Sequence, residues 1–161
     1  MIKTLYVPLI LLSVLSCSSD NTDRFTYEIV NDEKHINVTQ ENLINLYNLS
    51  DGEVEELLLT LHYKKEPNDN TDLSFIQKAD TVSGVFQMIQ IRYSPEKVVD
   101  IIWVSLDKKD RFEMFRKKFN KENEIDKEKG EVYFLRDNGQ KYLVKLSDII
   151  VGKQISILAM D

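Results

Sequence analysis

The sequence predicts an α+β protein of two layers: one antiparallel sheet of about six strands, with helices packed on one face. Three observations carry this. After residue 50 the chain alternates between helical and strand periodicity in the order α-β-β-β-α-β-β-β. Asn138-Gly139 separates two β-rich runs, and a type I′ hairpin needs positive φ at both of its central residues. Finally, Ile101–Asp107, IIWVSLD, is echoed 54 residues later by Ile155–Asp161, ISILAMD.

Each element follows from local chemistry. Phe25–Val30 alternates weakly and reads as a short strand or an extended lead-in. In Thr39–Leu49 the spacing puts Leu43, Leu46 and Tyr47 on one helical face. Ser50-Asp51-Gly52-Glu53 has capping-box spacing, and Val54, Leu57, Leu58 and Leu61 then form one apolar stripe. Glu66–Asp72, EPNDNTD, is the most polar internal segment and reads as a loop. Strands are expected over Leu73–Ala79, Gly84–Tyr93 and Val98–Leu106. The third is apolar on both faces, which belongs in the middle of a sheet. Ser94-Pro95-Glu96-Lys97 is a turn with proline fixing φ. Asp107 caps a helix striped by Phe112, Phe115 and Phe119. Strands Glu131–Arg136, Lys141–Ser147 and Gln154–Met160 complete the order.

The order repeats, and residues follow it. Val54, Leu57 and Leu61 match Phe112, Phe115 and Phe119 at an offset of 58; Phe75 matches Phe134 at 59; Ile89 and Ile91 match Val144 and Leu146 at 55. Offsets drift only at loops, where insertions are tolerated. The reading is a single domain over 27–161 built from tandem units of about 50–107 and 108–161, neither with enough core to stand alone. This architecture resembles tandem α-β-β-β lipoproteins such as the PepSY-like proteins and the β-lactamase-inhibitor-protein type of fold. The resemblance covers roughly residues 50–161 and rests on element order and internal echo, with no diagnostic motif. It implies a sheet with one face open for gripping another protein.

Residues 1–16 read as a lipoprotein signal peptide. Lys3 gives a positive start, and Leu5–Leu15 is an apolar run short of the ~20 residues a spanning helix needs. Val14-Leu15-Ser16-Cys17 resembles a bacterial lipobox, departing from it at Val14, where Leu is usual, and at the bulky Leu15. Cys17 is the only cysteine, so the body holds none for a disulfide and the single thiol lies where a lipid would be joined. The resemblance implies acylation of Cys17, and each buried CH₂ of the acyl chains adds ~0.8 kcal/mol of membrane affinity. An ordinary signal peptide with an incidental cysteine is the other reading. Residues 17–26 form a polar tether. Ser18 after the cysteine, and the Ser-Ser-Asp start, resemble the sorting signals of outer-membrane and surface lipoproteins of the Bacteroidota. The expected location is therefore the cell outer membrane, lipid-anchored, on either face.

Charge and motif content then narrow the function. The net charge is −6, and −7 once Lys3 leaves with the leader, which disfavours nucleic acid and anionic lipid as partners. The body has two histidines, His35 in the lead-in and His62 beside the apolar stripe; a lone histidine there is ordinarily a boundary residue. There is no HExxH, CxxC, GxSxG or phosphate-cradling glycine loop, so no metal and no cofactor is expected. A carboxylate pair of glycosidase type is invisible from sequence, and a small hydrolase stays as a minor alternative. Lys108, Lys109, Arg111, Arg116, Lys117, Lys118 and Lys121 surround the Phe-striped helix; this is a basic patch for an acidic partner or, more simply, a solvated outer face.

Helices cover one face of a two-layer sheet, and an apolar patch on the other marks a partner site. Trp103 shares a face with Val99, Ile101 and Ser105, opposite Ile102, Val104 and Leu106. Its match to Ile157 favours a core role over an anchor. Trp103, Arg92, Gln90 and Tyr133 are the candidate partner-binding residues. The functional expectation is a non-enzymatic, lipid-anchored envelope protein of immunity or inhibitor type that binds another protein through the open sheet face. An accessory lipoprotein of an envelope assembly or uptake system is the alternative.

Overall fold

A computed structural model describes residues 21–30, 32–67, 72–78, 86–93, 96–104, 117, 131–149 and 152–160. Residues 1–16 of the expected leader, Cys17, Asp107 and the Phe112–Phe115–Phe119 stripe lie outside the described residues. A 3-10 turn at Asn21–Arg24 leads into a hairpin of β1 (Tyr27–Val30) and β2 (Glu33–Ile36). Helices α1 (Gln40–Asn48) and α2 (Asp51–Thr60) follow. Next come β3 (Lys64–Lys65), β4 (Leu73–Lys78), β5 (Phe86–Arg92) and β6 (Val98–Val104), then β7 (Glu131–Asp137), β8 (Gln140–Ile149) and β9 (Gly152–Met160).

The protein is α+β. Strands β3 to β9 form one antiparallel sheet of seven strands in the order β3-β4-β5-β6-β9-β8-β7, and β1–β2 is a separate two-stranded sheet. The sequence led to about six strands. The seventh is β3, a two-residue edge strand pairing Lys64 with Ile76 and Lys65 with Phe75. A run of two lysines has no periodicity to read, and edge lysines discourage pairing with another chain. The sequence also missed β2: the lead-in strand turns at Asp32, in the left-handed region at φ 65, and returns.

Thr39, read from the sequence as the first helical residue, is the N-cap of α1: its side chain accepts from the Asn42 N–H at 3.1 Å. The capping box of α2 holds at residue level. The Glu53 carboxylate accepts from the Ser50 N–H (2.8 Å) and hydroxyl (2.7 Å), closing the start of α2. The end of α2 is a Schellman turn, with Tyr63 N–H on Leu58 O and His62 N–H on Leu59 O. His62 takes the position that glycine usually fills there, at φ 66. At the β7–β8 turn both Asn138 (φ 48) and Gly139 (φ 86) have the positive φ that a type I′ turn demands.

One core joins Leu43 and Leu46 of α1 and Val54, Leu57 and Leu58 of α2 to alternate strand positions. Two rows cross the sheet on the core side. One is Leu73-Ile91-Val99-Ile157-Val144-Tyr133, the other Phe75-Ile89-Ile101-Ile155-Leu146-Glu131. The rows correct two sequence matches. Phe75 lies in the core row, fully buried, whereas Phe134 has the opposite parity and is half-buried on the other side. Two aromatics in similar strands look alike in sequence whichever way each points. Likewise Ile89 occupies the row position of Leu146, not of Val144.

The β1–β2 hairpin is tied to this core by polar groups. Tyr63 accepts the Ile36 N–H at 3.1 Å and donates to Gln87 Oε1, and Gln87 Nε2 donates to Ile36 O at 2.9 Å. Burial is the main cause that pushes the Tyr63 phenol far above its ordinary range, opposed by the Ile36 hydrogen bond, so the phenol stays a donor. Both polar groups of the buried Ile36 backbone are thus satisfied by side chains.

Candidate functional site

The second face of the sheet is built from the positions that alternate with the core. Its apolar members Ile76, Met88, Ile102, Leu143, Leu158 and Phe134 are half-buried. Across its middle runs a polar row, Ser74-Gln90-Asp100-Ser156-Lys145, set by register. This face is therefore mixed rather than a plain apolar patch.

Asp100 is the residue that sequence reasoning missed. It is 1% exposed on the central strand. Its Oδ2 takes both Arg92 Nε (2.9 Å) and Arg92 Nη2 (2.8 Å). Arg92 lies diagonally across the β5–β6 pair, within reach of a long side chain. Asp100 Oδ1 has no hydrogen-bond partner among the described residues. A buried carboxylate with an idle oxygen is costly to keep. The signal was present in VVDIIWV: one acid within an apolar central strand has to be paired or used.

The four candidate partner residues do not come together. Gln90 and Arg92 share the second face, each half-buried. Tyr133 is 6% exposed in the core row, with its hydroxyl donating to Glu131. Trp103 is opposite Gln87 and Lys153 in the ladder, and its side chain lies outside the described residues. Lysine-rich positions 108–121 also lie outside them, apart from the exposed Lys117.

At the start of β6, Lys97 clamps the helices to the sheet. Its ammonium donates to Leu49 O at 2.6 Å and sits 5.3 Å from the Tyr47 ring centre and 5.9 Å from that of Tyr93. Burial lowers the Lys97 pKa, and Asp51 and Glu53 partly restore it. Burial also raises that of Tyr93, and the Asp51 carboxylate raises it further.

The histidines separate. His35 is buried, with its ring 6.4 Å from that of Tyr63. His62 is exposed and lines a recess of about 770 Å³ between the Asn21–Arg24 turn, the β1–β2 hairpin and the end of α2. No three His, Cys, Asp or Glu side chains converge on a metal site among the described residues. Comparison with protein-family models, with curated proteins and with solved structures finds no match to this chain.

Proposed function

We propose that this chain is a lipid-anchored protein of the cell envelope that acts by binding another protein through the second sheet face. The observation that carries the reading is that face itself. Half-buried apolar side chains flank an Arg92–Asp100 pair, and one oxygen of the carboxylate has no donor among the described residues. Apolar contact area around a few oriented polar groups is the usual anatomy of a protein interface. The immunity or inhibitor version fits a small acidic chain tethered where an incoming toxin or hydrolase would be met. Service to an envelope assembly or uptake system is the alternative use of the same face.

Two expected results test this reading. With a photo-crosslinking residue at Gln90 or Leu158, the full chain in its own envelope gives one discrete adduct. The same residue at the exposed Leu59 of α2 gives none, and Ile102→Lys abolishes the Gln90 adduct. Equal labelling at Leu59, or no adduct on the sheet face, removes the proposal. For the anchor, Cys17→Ala moves the protein from the membrane fraction to the soluble one, and globomycin leaves the leader uncleaved. Membrane retention of the Cys17→Ala chain counts against lipidation.

We also infer the tandem duplication at the level of the sheet. The units meet through their last strands, with Ile101 directly opposite Ile155, its counterpart at offset 54. In an antiparallel pair related by a two-fold axis, the residues on the axis face their own equivalents. The flanking pairs exchange as that axis requires: Val99 faces Ile157 and Trp103 faces Lys153, while 99 and 103 are 54 residues before 153 and 157.

A further inference from the structure

The recess beside His62 lies away from the second sheet face and borders the core at Phe25 and Leu61. It carries three carboxylates, Asp23, Asp32 and Glu33, against one lysine, Lys34. Acidic residues alone do not make a site, but two further features point to a ligand. Gln77 lines the recess at 2% exposure; its Nε2 donates to Leu61 O at 3.2 Å, which fixes the amide orientation and leaves Oε1 without a partner among the described residues. Glu33 Oε2, also in the wall, is buried without a partner among them. Both idle groups are acceptors, and acceptors with no donor call for N–H or O–H groups from outside.

The ligand class follows from this chemistry. Acceptors with surplus negative charge exclude anions and favour a donor that is itself positive, because charge-assisted hydrogen bonds are about twice as strong as neutral ones. The Tyr27 ring in the same wall already receives an ammonium, Lys34 Nζ, at 5.7 Å from its centre. A volume of about 770 Å³ is within the range of small-molecule sites and far larger than a bare ion needs. We propose that this recess binds a small organic ammonium, with Glu33 and Gln77 accepting its N–H groups and Lys34 giving up the Tyr27 face to it.

The test uses the full chain in mild detergent and titrates putrescine, the zwitterionic phosphodiester glycerophosphoethanolamine and neutral 1,4-butanediol by calorimetry, with the Gln77 side-chain amide followed by NMR. The expected result is saturable binding of an ammonium probe with a shift of the Gln77 amide, and none for butanediol. Preference for glycerophosphoethanolamine identifies a lipid headgroup as the source, and preference for putrescine a soluble amine. Glu33→Gln weakens binding at least ten-fold. Lys34→Met strengthens it three-fold or more, a gain that damage to the fold does not produce. Glu56→Gln, on the exposed side of α2, changes nothing. Equal heats for butanediol and both ammonium probes, or affinities untouched by Glu33→Gln and Lys34→Met together, overturn the proposal.

Discussion

Asn42→Leu is expected to lower the unfolding free energy by about 2–4 kcal/mol, although leucine is the better helix former. Asn42 is in the first turn of α1 and is 1% exposed. Its Oδ1 accepts the Thr26 N–H at 3.1 Å. Its Nδ2 donates to Asn37 O at 2.7 Å, Thr26 O at 2.8 Å and the Thr26 hydroxyl at 3.1 Å. One side chain thus joins the entrance of β1 to the exit of β2 and binds both to α1. Thr26 O keeps a second partner in the Asn37 N–H at 2.9 Å, so its loss is partial. The Thr26 N–H and Asn37 O have no such reserve among the described residues, and each buried unsatisfied group costs ~1–3 kcal/mol. Thr26 is exposed, so water recovers part of this, which keeps the total at the stated range.

Denaturant or thermal unfolding checks the effect, and a loss below ~0.5 kcal/mol means the four bonds are ornamental. Asn42→Asp has a sharper signature. A carboxylate there faces two carbonyl oxygens, so burial and repulsion raise its folded pKa above the unfolded value. The penalty is then full when the group is ionised and fades as pH falls through the folded pKa, where protonation returns a donor. The Asn42→Asp chain should therefore regain stability in mild acid relative to wild type, whereas Asn42→Leu should show no such recovery.

What the sequence revealed, and what it hid, divides along the range of the forces involved. Ser50–Glu53 and Asn138-Gly139 act over three or four residues, and each does in the structure what its spacing announces. Strand positions other than the short β2 and β3 were also legible, because period-two alternation is written locally. The pairing of strands is not local. Nothing in EVYFLRD fixes which face Phe134 takes, and a one-residue slip reverses it, which is why Phe75 and Phe134 matched as letters and not in space. The site features lay deeper still. Gln77 and Asp100 become notable only once neighbouring strands bury them and leave one oxygen of each without a donor among the described residues. The recess joins residues 22 to 34 with 60 to 62 and 77, a meeting that only the folded chain creates. Charge patterning placed the chain among acidic proteins, but it did not show that the acid collects in one wall.

Ile101→Ala and Ile155→Ala are each expected to cost about 3–4 kcal/mol, the upper part of the range for a buried aliphatic residue cut to alanine. Both are fully buried, they face each other across β6 and β9, and α1 packs on both strands. Their flanking row neighbours, Ile89 and Leu146, are both buried aliphatics, so each cavity has similar walls. With a total stability of order 5–15 kcal/mol, the double alanine chain sits at the edge of folding, so coupling is better measured with valine. Each Ile→Val removes one methyl group for ~0.5–1.5 kcal/mol. The pair should be non-additive by roughly 0.5 kcal/mol or more, because contacting residues share the contact that both lose. The near-equality of the two alanine costs tests the two-fold arrangement. If the units are duplicates meeting on an axis between Ile101 and Ile155, the two residues see the same environment apart from α1, and their costs agree within ~1 kcal/mol. A gap above ~2 kcal/mol would mean that the echo of IIWVSLD in ISILAMD reflects two apolar strands and nothing older.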